Sequence, residues 1–543
     1  MSNFKDIFKK PINSITVAAA FVAVSSLASR FLGIVRDHIL AGQFGAGSAL
    51  DTYYAAFRIP DLIFNLIVLG ALSAGFIPIF SAAIKNFSKT DSLNQAAWDL
   101  ANNILNFLFL GIACLSLLGI IFAPALTYLL TPGFSPQEQE ATVLLTRIMF
   151  LSPLFMGLSS LWGGILQSFK RFVVYSLAPI FYNLGIIIGA LYFVNWWGMP
   201  GLAIGVVLGA FLHMLVQIPT VYSLGFRYKF SLHWHDVNTR LIGKMMVPRT
   251  MSLAISQINL VVITILASQL SSGSLSIFNF ANNLQSFPIG IFGISFAIAA
   301  FPALSAAAFD TEKLKINFSQ TMRQILFFVI PVSILIIVLR AQIVRVVLGN
   351  GNFDWQDTIL TMNTLALFAV SLFAQATLPL LVRVFYARHN SATPFYIGLV
   401  SVVVNIALSL WLNPLFGVAG LAMAFSAANI VNFLLLWLWL QRKVGNLDFL
   451  HILLSAAKFI VAGLAAGITA QIMKVPVSSI VGMDRFIGVF TQLAISGLAG
   501  LAVYLVFCYL LQSEELSSFL SSIIRRLPFK KINTEDQGEA RGV

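Results

Sequence analysis

The stretch SITVAAAFVAVSSLASRFLGIVRDHILA, residues 14–41, decides how the chain is to be read. It is long enough to cross a hydrocarbon layer, which takes about 20 apolar residues, yet Arg30 and Arg36 lie within it. It is too long for the core of a secretory leader and reads as a retained membrane helix. An ionised side chain at bilayer depth costs about 3 kcal/mol on insertion scales, so it normally faces a polar space inside the protein. Two arginines in one apolar helix, with Arg58 at the mouth of the next, read as a site.

The same signature recurs along the chain. Of 543 residues, 58% are hydrophobic and 10% charged, with a mean hydropathy of +0.89. That balance excludes a soluble globular chain and predicts an all-α polytopic membrane protein. Apolar runs bounded by Gly, Pro, Asn or charge give about fourteen transmembrane helices, near 14–41, 53–84, 99–125, 142–166, 172–194, 201–224, 241–270, 275–307, 319–339, 357–386, 393–412, 417–441, 452–473 and 485–511. Basic residues gather in alternate connections, from Lys9 and Lys10 through Lys170 and Arg171 to Arg442, Lys443, Arg525 and Arg526. Both termini are therefore expected on the cytoplasmic side of the membrane. The net charge of +13 belongs to that pattern, and nucleic acid is not an expected partner. Cys114 and Cys508 lie in apolar runs without metal or CxxC spacing and read as packing residues.

Two halves of the chain echo one another weakly. Phe76-Ile-Pro-Ile-Phe-Ser-Ala-Ala83 resembles Ala300-Phe-Pro-Ala-Leu-Ser-Ala-Ala307, Gly133-Phe134 resembles Gly351-Asn-Phe353, and Gly201-Leu-Ala203 resembles Gly420-Leu-Ala422. The repeat predicts two parallel six-helix lobes, 14–224 and 241–441, around a central cavity, joined by a linker at 225–240. Residues 1–13 precede them. Helices 13 and 14, within 452–511, stand outside the repeat, and 512–543 form an amphipathic helix and a disordered tail. In that tail Leu516, Phe519, Leu520, Ile523 and Ile524 fall at helical spacing ahead of Arg525 and Arg526, suiting a helix on an anionic leaflet or one packed on the body.

The run Ser29-Arg-Phe-Leu-Gly-Ile-Val-Arg-Asp37, with Phe44-Gly-Ala-Gly47, Asp51 and Phe57-Arg-Ile-Pro60, resembles the opening of the MurJ (MviN-type) lipid II flippases of the MOP superfamily. Gly70-Ala-Leu-Ser73, Ser256-Gln-Ile-Asn259 and Leu339-Arg-Ala-Gln-Ile-Val-Arg345 extend the match along nearly the whole chain. The resemblance implies a flippase that carries the undecaprenyl-diphosphate-linked peptidoglycan precursor between leaflets by alternating access. Cavity cations would hold the diphosphate, and helices 13 and 14 would form a groove for the lipid tail. Arg30, Arg36, Asp37, Asp51 and Arg58 stand at matching positions. Where the family carries an arginine pair and a glutamate in helix 2, this chain has Phe64, Asn65 and Leu69; in helix 8 the family's Ala-Asp-Arg-Leu is Ala281-Asn-Asn-Leu284.

The expected substrate-binding set is thus Arg30, Arg36, Asp37, Asp51, Arg58, Asn65, Arg249 and Asn283. Guanidinium groups suit a diphosphate because they bind its oxygens bidentately and keep their proton. Arg30 with Asp37, and Asp51 with Arg58, are seven residues apart and share helical stripes, which suggests ion pairs that yield to phosphate on loading. The structural alternative has Asp51 and Arg58 reaching the membrane surface, Arg30 satisfied by backbone carbonyls, and Asn283 bonding between helices. Arg340 and Arg345 adjoin a short loop and read as a gate or brace.

Three functions remain in view: the lipid II flippase, a carrier of another polyprenyl-linked glycan or amphiphile, and a transport-inactive scaffold. An enzyme is not expected, because the short outer loops lack acidic or histidine clusters. No GxxxxGK[ST] motif is present and no cofactor is expected, so energy is expected from the membrane potential or an ion. Helices 7 and 11, where some relatives bind sodium, offer only neutral Asn259, Asn405 and Ser409. Membrane lipids and the lipid-linked diphosphate are the expected partners of a monomer.

Overall fold

The computed structural model describes residues 15–69, 75–85 and 91–524, and among them every regular element is helical. In chain order these are α1 (Ile15–Phe44), α2 (Ser48–Phe64, running into a π-helical turn Asn65–Leu69, with a further helical segment Ile77–Lys85), α3 (Gln95–Leu130), α4 (Pro136–Ser168), α5 (Phe172–Trp197), α6 (Met199–Ser223) and α7 (Val237–Ser268). There follow α8 (Ser274–Ala306), α9 (Thr311–Val347), α10 (Trp355–Val370 and Leu372–Ala387, broken at Ser371), α11 (Ala392–Phe416), α12 (Val418–Val444), α13 (Phe449–Ile480), α14 (Phe486–Leu510) and the short α15 (Glu514–Ile524). Ten are long and apolar enough to cross a membrane, and the broken α10 makes an eleventh. With α1, α2 and α7 occupying the other expected spans, the helices are compatible with the fourteen read from the sequence. Gly70-Ala-Leu-Ser73, the Arg249 side chain and the tail from Arg525 lie outside the described residues.

Helix starts follow their sequence signals. Ser135 opens α4 with a capping box: Glu138 N–H donates to its Oγ at 3.4 Å and its own N–H donates to Glu138 Oε2 at 2.8 Å. Asp236 caps α7 by accepting from Thr239 N–H at 2.7 Å. The linker between the halves is laced to α3 by three asparagines: Asn102 donates to Arg227 O at 3.0 Å, Asn103 to His233 O at 3.0 Å and Asn106 to Ser231 O at 3.0 Å.

The weak repeat has a backbone counterpart. A π-helical turn occupies Asn65–Leu69 in α2 and Ile289–Ile294 in α8, and 289 − 65 = 224 is the same offset that relates Phe76 to Ala300. The turns before α6 and α12 also match, at Gly198 (φ 62°, ψ −145°) and Gly417 (φ 58°, ψ −137°).

The chain forms two compact units. One comprises residues 1–287, 343–371 and 391–435, and the other 288–342, 372–390 and 436–543. This division cuts α8, α9, α10 and α12 within their length, so it is not the division into sequence lobes. In the first unit a core of Phe76, Phe80, Leu161, Ile165 and Phe226 is buried among α3, α4 and the linker. In the second, Tyr504 of α14 donates its hydroxyl to Phe327 O at 2.6 Å, beside Phe459 of α13 and Phe519 of α15.

Candidate functional site

Seven of the eight expected site residues have described side chains, and all seven fall in the first unit. α1 supplies the centre. Arg36 donates from Nε and Nη2 to Asp37 Oδ1 at 3.0 and 2.8 Å, and from Nη1 to Asn183 Oδ1 of α5 at 3.1 Å. The second oxygen of Asp37 accepts from Asn283 Nδ2 of α8 at 2.9 Å. Asn183 is fixed in turn by donating to Ser29 O and Pro179 O. The Asp37 side chain is buried, whereas the Arg36 side chain keeps 22% of its surface open. Three of the five guanidinium N–H bonds are engaged, leaving two for an anion.

Arg58 on α2 is half-buried and donates from Nε to Thr264 Oγ1 of α7 at 2.8 Å and from Nη2 to Asn279 Oδ1 of α8 at 2.9 Å. Arg30 is half-buried, with one long bond from Nη1 to Ser286 O at 3.4 Å, the backbone-carbonyl arrangement that was the structural alternative. Asn65 is half-buried in its π-helical turn, its N–H donating to Asp61 O and Leu62 O and its side chain without a hydrogen-bond partner among the described residues.

The expected i, i+7 pairs do not form. Arg30 does not meet Asp37, whose partner is the adjacent Arg36, and Asp51 does not meet Arg58. Nor does Asp51 reach the membrane surface, for it is 3% exposed. Its Oδ2 accepts from Gly273 N–H at 2.7 Å, and its Oδ1 from Ser276 N–H at 2.7 Å and Ser276 Oγ at 2.6 Å. A carboxylate saturated by the first N–H groups of α8 is a helix cap with favourable dipole alignment, so Asp51 braces α2 to α8.

At the same end of the first unit, loops from each half close on the other half. Asn352 N–H donates to Gly42 O at 2.8 Å, and a Cβ at Gly351 would stand 2.2 Å from Gly42 O. A Cβ at Gly133 would stand 2.2 Å from Ser268 O. The α9–α10 loop thus sits on α1 and the α3–α4 loop on α7. Ala46 N–H donating to Asp357 Oδ2 at 2.8 Å and His38 Nδ1 at 2.7 Å from Val347 O add to the closure, and Arg345 braces it by stacking on Trp355 at 5.7 Å.

Sequence reading missed Asn183, Thr264 and Asn279, whose roles depend on partners 147 to 221 residues away. It also missed Asp61, an exposed carboxylate on α2 three residues after Arg58, with no hydrogen-bond partner among the described residues. A charge inside a membrane helix was the signal that could have found it. In the neutral trio of α7 and α11, Asn405 Nδ2 donates to Asn259 Oδ1 at 2.6 Å and Ser409 donates its hydroxyl to Asn405 Oδ1 at 3.4 Å.

Fold and site together define a polytopic helical membrane protein with cations set among its helices. An inward-facing multidrug MATE transporter of the MOP superfamily shares the fold, with a TM-score of 0.65 at 16% identity, over 77% of this chain and 95% of that one. A solved lipid II flippase MurJ in an inward closed conformation gives 0.74 at 24% identity, over 93% and 99%. A family model described as "Lipid II flippase MurJ" matches residues 40–490, and the chain belongs to that family. It is 30% identical to a probable lipid II flippase MurJ of Buchnera aphidicola subsp. Acyrthosiphon pisum over 79% of this chain and 84% of that protein. It is 29% identical to the lipid II flippase MurJ of Burkholderia cenocepacia over 77% and 82%.

Proposed function

We propose that this chain translocates lipid II, the undecaprenyl-diphosphate-linked peptidoglycan precursor, from the inner to the outer leaflet by alternating access, with both termini cytoplasmic. The observation that carries the reading is Arg36. It is a guanidinium on the apolar helix α1, held by Asp37 and Asn183, with two N–H bonds left to point at a phosphate oxygen. Arg30 and Arg58, half-buried and close to α8, are the other cations available to a diphosphate. Asp37 and Asn283 act as positioning residues that keep the Arg36 fork oriented, and Asn65 and Arg249 are secondary candidates for sugar or phosphate contact. Transport is driven by the membrane potential or an ion, since each charge crossing 100 mV exchanges about 2.3 kcal/mol.

The test is rescue of bacteria depleted of their own lipid II flippase. Growth with the wild-type chain and lysis with Arg36→Ala are expected; lysis with both, at equal membrane levels, sinks the reading. A second cargo is favoured by one observation: Phe64, Asn65, Leu69, Asn282 and Asn283 stand where the family's expected cations and carboxylates would be. Failed rescue combined with retention of another polyprenyl-diphosphate glycan by the purified protein would select it.

A further inference from the structure

Helices α13 and α14 pack with the first part of α9 in the second unit. Near the α13–α14 connection two cations converge. Lys474 of α13 donates from Nζ to Val338 O of α9 and to Gln471 Oε1 at 2.9 Å. Arg340 of α9 donates from Nη1 to Ile337 O at 2.8 Å. Carbonyls 337 and 338 are consecutive, separated by a rise of about 1.5 Å, so the ammonium and the guanidinium share one turn of α9. No carboxylate among the described residues lies within 4.0 Å of either. A glutamine lattice fixes the spot: Gln342 Nε2 donates to Gln492 Oε1 of α14 at 2.9 Å, and Gln492 Nε2 donates to Lys474 O at 2.9 Å.

Two further facts point to a missing anionic partner. Arg340 Nε is buried without a hydrogen-bond partner, so a donor on a cation is left unmatched beside a second positive charge. A lysine that merely snorkels extends away toward water, whereas Lys474 turns onto the neighbouring helix. The end of α13 and the start of α14 carry apolar side chains that are open to the surroundings. Ile472, Val475, Phe486 and Phe490 are all at least half exposed, the two phenylalanines stacking at 6.0 Å. The adjoining connection carries one exposed acid, Asp484, and one exposed base, Arg485, which cancel.

We propose that Arg340 and Lys474 form a site for the phosphate of an anionic glycerophospholipid whose acyl chains lie along Ile472, Val475 and Phe490. The site is separate from the Arg36 cluster and holds whatever the cargo is. The experiment is native mass spectrometry of the full chain released from mixed micelles of phosphatidylglycerol and phosphatidylcholine with identical acyl chains. The wild type is expected to retain phosphatidylglycerol about tenfold better. The R340Q/K474Q double variant should lose that preference, and R340K/K474R should keep it. No preference in the wild type, or an unchanged preference in the double variant, overturns the proposal. Displacement of the lipid by millimolar inorganic phosphate overturns the lipid assignment in favour of a free anion. If thermal unfolding shows the double variant misfolded, a salt titration of the wild type decides. The preference must weaken as ionic strength rises, and a salt-independent preference refutes the site.

Discussion

Arg36 is useful because it is incompletely satisfied. Asp37 and Asn183 hold its plane while two N–H bonds stay unassigned, a division of labour that a lysine cannot copy, since its ammonium is a point charge without a fork. Arg36→Lys is therefore expected to lower the transport rate by about tenfold or more in a reconstituted flipping assay, whereas the wild-type rate in that variant would show that charge alone suffices. Asp51 belongs to a different class. Removing it in Asp51→Ala leaves three donors at the start of α8 without their acceptor, a loss of about 2–3 kcal/mol that should appear as a lowered unfolding midpoint. A variant that melts normally but no longer binds substrate would restore Asp51 to the binding set. The contrast shows what the sequence could disclose. Arg30, Arg36 and Arg58 stand out because membrane helices rarely carry such charges, and any reader of the sequence can find them. Their partners cannot be found that way: Asn183 and Asn279 are ordinary amides in sequence and gain their roles from helices packed far along the chain. The helical stripe argument failed because it weighed only neighbours on one helix, while in the folded chain nearer acceptors on other helices won.

At the scale of elements, the loops that sit on the ends of α1 and α7 form a closure that can be locked. In a background lacking Cys114 and Cys508, cysteines replacing Gln43 and Asn352, which meet through Asn352 Nδ2 and Gln43 O, should cross-link under mild oxidation. Transport is expected to stop and to return with reductant; full activity of the cross-linked protein would show that this end never opens. The C-terminal α15 is a second removable element. Arg323 pairs with Glu514 at 2.9 Å and with the buried Glu515, and it holds the Glu514 carboxyl below its usual range. A carboxylate with a lowered folded pKa stabilises above its unfolded value of about 4.3 and loses that contribution as pH falls through the folded value. Docking of α15 should therefore persist at neutral pH and weaken as acidification passes through that lowered folded value, read as faster proteolysis at the C-terminus of the purified protein. Arg323→Gln should give the same release at neutral pH. The amphipathic spacing of Leu516, Phe519 and Leu520 was visible in sequence, but its packing against Phe327 and Phe328 was not, because an apolar face does not say whether lipid or protein covers it.

For the whole molecule, the repeat was readable only as scattered echoes, since lipid-facing positions accept any apolar residue and erase identity between halves. What survives is backbone behaviour: π-helical turns at 65 and 289 and matched glycine turns at 198 and 417. Energy coupling belongs at this scale, because a field acts on the total charge moved. In proteoliposomes, collapsing the potential with valinomycin and potassium is expected to halt flipping, and removing ATP is expected to change nothing; the reverse outcome excludes the potential as driver.

The crossed loops limit how such a protein can change over generations. Gly133 and Gly351 each seat a hairpin of one half against the opening helix of the other, at distances that admit no methyl group. Lengthening or reshaping one hairpin would tilt the molecule unless its counterpart changed in step. The duplicated halves are therefore free to diverge along their greasy walls but remain tied to each other at these two knuckles.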